Sequence, residues 1–414
     1  MKQNQKIEWI GNGGVASPLG FQASGVVCGL KKSGNPDLAM LFSERPCRCA
    51  GTFTSNLFPA APVQLCRERI AAGKDIRAVV VNSGIANACT GLAGYRQSVE
   101  TAECAARRLS VTPDEVLVGS TGRIGLLLPM DKIRAGIDLA ASALSRDGGS
   151  DAVRAIMTTD TRPKQAAVSF SVDGKTVTIG GMTKGAGMIA PHMLLARPHA
   201  TMLCYLTTDA EIGTADLAGW LEEAVGFSFN RISVDNDMST NDTCILLANG
   251  ASGAVIAPET EGAELFRAAL RQLTEYLAVN MVMDGEGSTK IVSIEVSGAE
   301  TEADARLCAK AIADSMLCKT AWFGCDPNWG RILAAAGYSG ARFEPARVSL
   351  DYDEMPVVRG GMDAGTPEAD LVTVLQRKPG FSVKINLGAG SAEWHVWTSD
   401  ISYEYVKINA DYHT

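Results

Sequence analysis

Ala200-Thr201 stands at the head of an apolar run, Met202-Leu-Cys-Tyr-Leu206, and is the junction in this chain with the most chemistry in it. A threonine hydroxyl attacks a carbonyl only when a base removes its proton. If the chain breaks between the two residues, Thr201 carries both the hydroxyl and a free α-amine, a nucleophile and its base in one residue. Uncut, the same threonine is a β-favouring side chain at the start of a strand. Other familiar reactive constellations are missing from the sequence. Its four histidines include no His-Glu-x-x-His spacing, so neither a zinc hydrolase nor a histidine-based triad finds support. Its eleven cysteines are scattered without a Cys-x-x-Cys, and Cys47 with Cys49 fall short of the ligand set of a structural zinc, so no metal site is expected. The many glycines raise a nucleotide- or phosphate-binding protein as a reading. No Gly-x-x-x-x-Gly-Lys-Ser/Thr and no Gly-x-Gly-x-x-Gly after a strand supports it.

The elements that would position such a junction are those of a mixed α/β chain. With 414 residues, 46% apolar and 20% charged, there is room for two lobes or one large α/β unit. A net charge of −8 argues against a nucleic-acid partner. No apolar window is long enough to span a membrane, and Met1 to Trp9 lacks a signal-peptide core, so the expected compartment is the cytoplasm, with reduced and mostly buried thiols. Residues 78–82 and 115–118 read as buried strands, and 167–172 with 176–179 as a hairpin around Asp173-Gly174. Leu217, Leu221 and Val225 mark one helix, and Leu265 to Leu277 a second that stops at Asp284-Gly285. Leu307, Ala311, Ile312 and Met316 mark a third. Strands are expected at 243–248, 291–296, 383–387 and 394–397. By composition the best boundary is the Pro- and His-containing stretch before Thr201.

Several segments carry a resemblance when read in order. They are Gly13-Gly-Val-Ala-Ser-Pro-Leu-Gly-Phe21, Asn82-Ser-Gly-Ile-Ala-Asn-Ala-Cys-Thr-Gly91, Ser120-Thr-Gly-Arg-Ile-Gly125 and Met157-Thr-Thr-Asp-Thr-Arg-Pro-Lys164. Then come the Lys184 to Leu206 stretch, Phe229 to Thr243, Gly285-Glu-Gly-Ser-Thr-Lys290, Phe323 to Ile332 and the ending Lys407-Ile-Asn-Ala-Asp-Tyr-His-Thr414. Together they resemble the ornithine acetyltransferase family, the glutamate N-acetyltransferases of arginine biosynthesis, whose precursors cut themselves at an Ala-Thr bond.

The resemblance implies a layered α/β sandwich with paired sheets flanked by helices, built from two subunits cut from one precursor, 1–200 and 201–414, and assembled as two of each. It implies that Thr201 takes an acetyl group from N-acetylornithine and passes it to glutamate through an acetyl-threonine ester. Thr121 and Gly122 fall at the positions that hold the oxyanion, where a glycine lets a backbone N–H approach the developing charge. Without the resemblance, Gly119-Ser-Thr-Gly122 reads as a turn. Lys184, Thr158, Glu286, Asn409 and Thr414 fall at substrate positions. There Lys184 would hold a carboxylate and keep the Thr201 amine neutral, and Glu286 would meet the ornithine ammonium. No cofactor is implied, although acetyl-CoA is a possible co-substrate. One departure stands out: 194–199 intervene between Ala190-Pro-His-Met193 and Ala200-Thr-Met-Leu203, which lengthens the end of the first subunit. His199, beside the junction, reads as a solvated loop residue, since the sequence supplies no carboxylate to orient it. The alternative reading is a self-cleaving amidase or aminopeptidase, in which water accepts the acyl group; the Asn409 to Thr414 ending favours transfer.

Overall fold

The computed structural model of the chain describes residues 6–190, 193 and 202–411. Ala200, Thr201, Thr414 and the intervening 194–199 lie outside the described residues. The fold is mixed α/β with layered sheets. The chain divides into two compact units, one of Met1–Asn230 and Asp237–Met281, the other of Arg231–Asn236 and Val282–His413.

In the first unit the strands are β1 (Glu8–Trp9), β2 (Phe21–Val26), β3 (Leu38–Phe53), β4 (Ile76–Ile85), β5 (Val116–Arg123), β6 (Lys164–Val172), β7 (Lys175–Lys184), β8 (Leu203–Thr208) and a strand at Thr243–Ala248. They form a nine-stranded sheet in the order β1-β6-β7-β8-(Thr243–Ala248)-β3-β4-β5, with β2 also on β3. The long β3 connects its two parts. Residues 38–42 pair with β2 and β4, the register shifts between Phe42 and Cys47, and residues 48–53 pair with Thr243–Ala248. Irregularities of this kind are how a strand turns from one layer into another.

Local chemistry explains the elements. Asp173 and Gly174 take φ of 50° and 76°, the two positive values of a tight hairpin turn, so β6 and β7 pair in register from Val172↔Lys175 to Lys164↔Thr183. Glu115, expected in a strand, instead closes a short 3-10 turn, because the Thr112 backbone N–H donates to its carboxylate at 2.7 Å; β5 begins one residue later. Gly181 leaves room on β7 for Leu206 of β8 and for Leu273 and Leu277 of the helix Glu261–Met283; a Cβ there would stand 2.8 Å from Leu206 and 2.9 Å from Leu277. On β5 pack the helices Ala61–Ala71 and Gly91–Leu109.

The second unit has a seven-stranded sheet in the order Ile232–Ser233, Ala392–Ser399, Ile291–Ala299, Gly380–Asn386, Ser349–Tyr352, Met355–Arg359, Met362–Asp363. Helix Glu302–Ala313 packs on the strands at Ile291–Ala299 and Ala392–Ser399. The single helix expected from Leu307 to Met316 is broken in two. Asp314 ends the first, and the Ser315 hydroxyl accepts from the Cys318 N–H at 3.3 Å to start Met316–Gly324. Apolar spacing runs on across the break because both helices face the same core.

Tyr205, in β8, is fully buried, and its hydroxyl has no hydrogen-bond partner among the described residues. It lies against Gly119, where an added Cβ would stand 2.1 Å from the oxygen. An unpartnered buried hydroxyl costs about 1–3 kcal/mol. Tyr205→Phe should therefore unfold at an equal or higher temperature than the parent; a clear loss of stability would show that the hydroxyl has a partner.

Candidate active site

β5 ends in Thr121, Gly122 and Arg123, parallel to the end of β4. The tetrapeptide Gly119-Ser-Thr-Gly122 thus continues a strand instead of forming the turn its composition suggests. Gly122 pairs with Gly84, has φ +126°, and a Cβ built on it would lie 2.3 Å from the Gly84 carbonyl carbon. No other residue fits there without moving β4. β7 ends in Lys184, whose ammonium donates to the Thr121 hydroxyl oxygen at 3.1 Å. Lys184 is 5% exposed and Thr121 8%. The solvated lysine that a glycine turn would give is ruled out. With its oxygen accepting from an ammonium, the Thr121 hydroxyl keeps its own proton for donation.

Beneath Lys184 lies Asp160. Its side chain has no exposure and pairs with Lys164 at 2.6 Å. The Gly185 N–H donates to Oδ1 at 2.7 Å and the Thr158 N–H to Oδ2 at 2.9 Å. Burial alone would raise this carboxyl's pKa, but Lys164, Lys184 and the hydrogen bonds outweigh it and hold the group well below the usual carboxylate range. Thr158 is therefore placed by its backbone on the same carboxylate that fixes the turn after Lys184.

Asp242 is another buried acid in this unit. Its Oδ2 has no hydrogen-bond partner among the described residues, and burial pushes its pKa well above the ordinary value, with Lys184 only partly opposing. It immediately precedes Thr243, whose N–H donates to the Met202 carbonyl at 2.8 Å. Met193 is tied through its backbone N–H and carbonyl to the side chain of Asn230. Chain on both sides of 194–201 is thereby anchored at described residues.

In the second unit, Glu286 and Asn409 are brought together. The Asn409 amide donates to Glu286 Oε2 at 2.8 Å, and Glu286 is 8% exposed, not the surface charge its turn allows. Helix Tyr403–Asp411 is docked against the loop. Ser402 donates to the Gly287 carbonyl at 2.6 Å, and a Cβ on Gly287 would lie 2.5 Å from the Tyr405 nitrogen. Asp400 accepts from the N–H groups of Thr289 and Lys290, which fixes the loop's other side. Asp160, Lys164 and Asp242 were not singled out from sequence. The signal for the first two was an Asp and a Lys four apart ahead of an apolar strand.

Among the described residues no group of three or more His, Cys, Asp or Glu is placed to hold a metal ion, and no helix is long and apolar enough to cross a membrane.

The chain matches the ArgJ family profile over residues 22–414. It is 47% identical over 411 residues to the arginine biosynthesis bifunctional protein ArgJ of Symbiobacterium thermophilum, covering 99% of this chain and 100% of that protein. It is 45% identical over 411 residues to the glutamate N-acetyltransferase of Methanocaldococcus jannaschii, covering 97% and 99%. Among solved structures it is similar to ornithine acetyltransferase complexed with ornithine from Mycobacterium tuberculosis, at 43% identity and a TM-score of 0.43, covering 46% of this chain and 100% of that one.

Asp160→Asn should cost about 3 kcal/mol or more of stability at pH 7, because it leaves Lys164 charged and buried without its anion. A carboxyl whose folded pKa is depressed contributes above its unfolded pKa of about 3.9 and loses that contribution as pH falls through the folded value. The deficit, followed by denaturant unfolding, should shrink below about pH 4; a pH-independent deficit would assign it to packing.

Proposed function

The chain belongs to the ArgJ family, and from that membership we propose that it works through an acetyl-threonine intermediate on Thr201, freed as a new N-terminus by cleavage after Ala200. It is an ornithine acetyltransferase of arginine biosynthesis, acting on small-molecule substrates. Family membership carries transfer to glutamate over the hydrolytic alternative.

In the proposed cleavage, the Thr201 hydroxyl attacks the Ala200 carbonyl carbon, the C–N bond breaks, and the peptide becomes an ester that water hydrolyses. This leaves chains 1–200 and 201–414, assembled as two of each. In turnover, the α-amine, with a reference pKa of about 7.7–8, takes the hydroxyl proton as the oxygen attacks the amide of N-acetylornithine. The tetrahedral oxyanion collapses, the amide C–N bond breaks, and the α-ammonium returns the proton to the departing ornithine amine. Glutamate's amine then attacks the ester and the steps run in reverse. An ester carrier suits two bulky amines that use one acyl site in turn.

The observation that best supports this reading is the 3.1 Å contact between the Lys184 ammonium at the end of β7 and Thr121 at the end of β5. It leaves a hydroxyl proton, next to the Gly122 backbone, to meet a developing oxyanion. Lys184 and Thr158 are assigned to the substrate, as are Glu286, Asn409 and Thr414. No cofactor takes part; acetyl-CoA is proposed as a second acetyl donor, and the cytoplasm as the compartment.

Purified protein should run as two near-equal fragments, the second beginning Thr-Met-Leu-Cys, and should move acetyl from N-acetylornithine to glutamate. Thr201→Ala should stay one chain and be inactive; a different N-terminus in active protein would remove Thr201 from the nucleophile's place. Thr121→Ala should lower kcat on the order of 10²–10³-fold with a much smaller change in KM. An effect confined to KM would make Thr121 a substrate contact.

A further inference from the structure

The two substrates of this reaction differ at the end remote from the acetyl group. Ornithine carries an ammonium there and glutamate a carboxylate. Both share an α-carboxylate, to which Lys184 is assigned, and Glu286 suits the ammonium. Glutamate's second carboxylate has no cation among the assigned residues.

Lys31 is such a cation. The loop before β3 is built around the fully buried Asp37, whose carboxylate accepts from the N–H groups of Cys28 and Leu30 at 2.6 Å each and of Lys31 at 2.9 Å. These bonds fix the Lys31 backbone. Its ammonium, by contrast, makes one hydrogen bond among the described residues, to the neutral Pro36 carbonyl at 2.6 Å, and no ion pair. Two of its three N–H groups are left over. The side chain is half-buried, and its Cγ lies 3.5 Å from where a Cβ on Gly84 would be. Gly84 is the residue that pairs with Gly122. The Lys31 stem therefore lies over Gly84, the glycine against which the proposed oxyanion residue Gly122 is paired.

A half-buried ammonium with no carboxylate in direct contact is costly, and proteins relieve that cost by pairing it. Burial pushes the Lys31 amine down to about 8; Asp37, Asp160 and Cys28 pull it up, and Lys184 pushes it further down. A substrate carboxylate would restore a charge-assisted pair.

We propose that Lys31 binds the side-chain carboxylate of the acceptor glutamate and so sets the acceptor specificity of the second half-reaction. The inference rests on the reading of Thr121 and Gly122 as the place where the acyl group reacts.

The test compares Lys31→Met, which keeps the stem and removes the charge, with Lys31→Arg, which keeps the charge. Initial rates are measured with glutamate and with glutamine as acceptor, N-acetylornithine being the donor. In Lys31→Met the KM for glutamate should rise on the order of tenfold more than the KM for N-acetylornithine, as expected for loss of one charge-assisted bond. The preference for glutamate over glutamine should fall by a similar factor, and Lys31→Arg should keep most of it. Should Lys31→Met not fold, Lys31→Gln is read by the same ratio. Equal shifts in the two KM values, or an unchanged glutamate preference in the neutral variants, would overturn the proposal. Failure of the parent protein to transfer acetyl to glutamate would instead overturn the reading on which it rests.

Discussion

A carboxylate with no exposure, Asp160, is the constraint around which the candidate site in the first unit is organised. A buried charge is tolerated only when its lone pairs are filled and an opposite charge lies close. Asp160 meets both conditions with groups from three places in the chain: the Lys164 ammonium at the start of β6, the Gly185 N–H just past β7, and the Thr158 N–H after the helix Gly149–Ile156. The depressed pKa that follows keeps it anionic wherever the protein is folded at ordinary pH. Lys184 is thereby held at the end of β7 with its ammonium on Thr121. Gly185 completes the turn at φ +149°, where a Cβ would press within 2.8 Å of Ile189 and Met281.

Backbone approach sets the other half of the geometry. Gly84 and Gly122 lie opposite each other at the ends of two parallel strands, closer than any side chain permits. Asp242 contrasts with Asp160. Burial pushes both pKa values up, but at Asp160 the cations and donors outweigh it and at Asp242, with an oxygen without a partner among the described residues, they do not, so the two shift in opposite directions. Buried acids with shifted pKa values concentrate where proteins do chemistry.

Much of this was legible in the sequence, for reasons that differ by element. The β6–β7 hairpin followed from Asp173-Gly174, because few residue pairs accept two positive φ values. Helix Glu261–Met283 followed from its apolar spacing. The break at Asp314-Ser315 did not, since the hydrophobic period continues while the caps that end one helix and begin another are ordinary polar residues. Among site residues, Thr121, Gly122, Thr158, Lys184, Glu286 and Asn409 were named from family segments, and their local partners came from the structure. Spacing cannot reveal that Lys184 touches Thr121 across 63 positions, or Asn409 Glu286 across 123, because those pairings are made by sheet order and helix docking. Asp160 and Lys31 went unremarked because a single charge in a sequence looks solvated until its burial is known.

The central claim is that Thr201 carries the acetyl group between substrates, and the mass of the chain that begins with it tests this most directly. After incubation with N-acetylornithine and no glutamate, that chain should gain one acetyl group, located on Thr201 by fragmentation and lost again when glutamate is added. Acetyl transfer at the normal rate, with no acetylated Thr201 chain at any time in the reaction, would contradict the account.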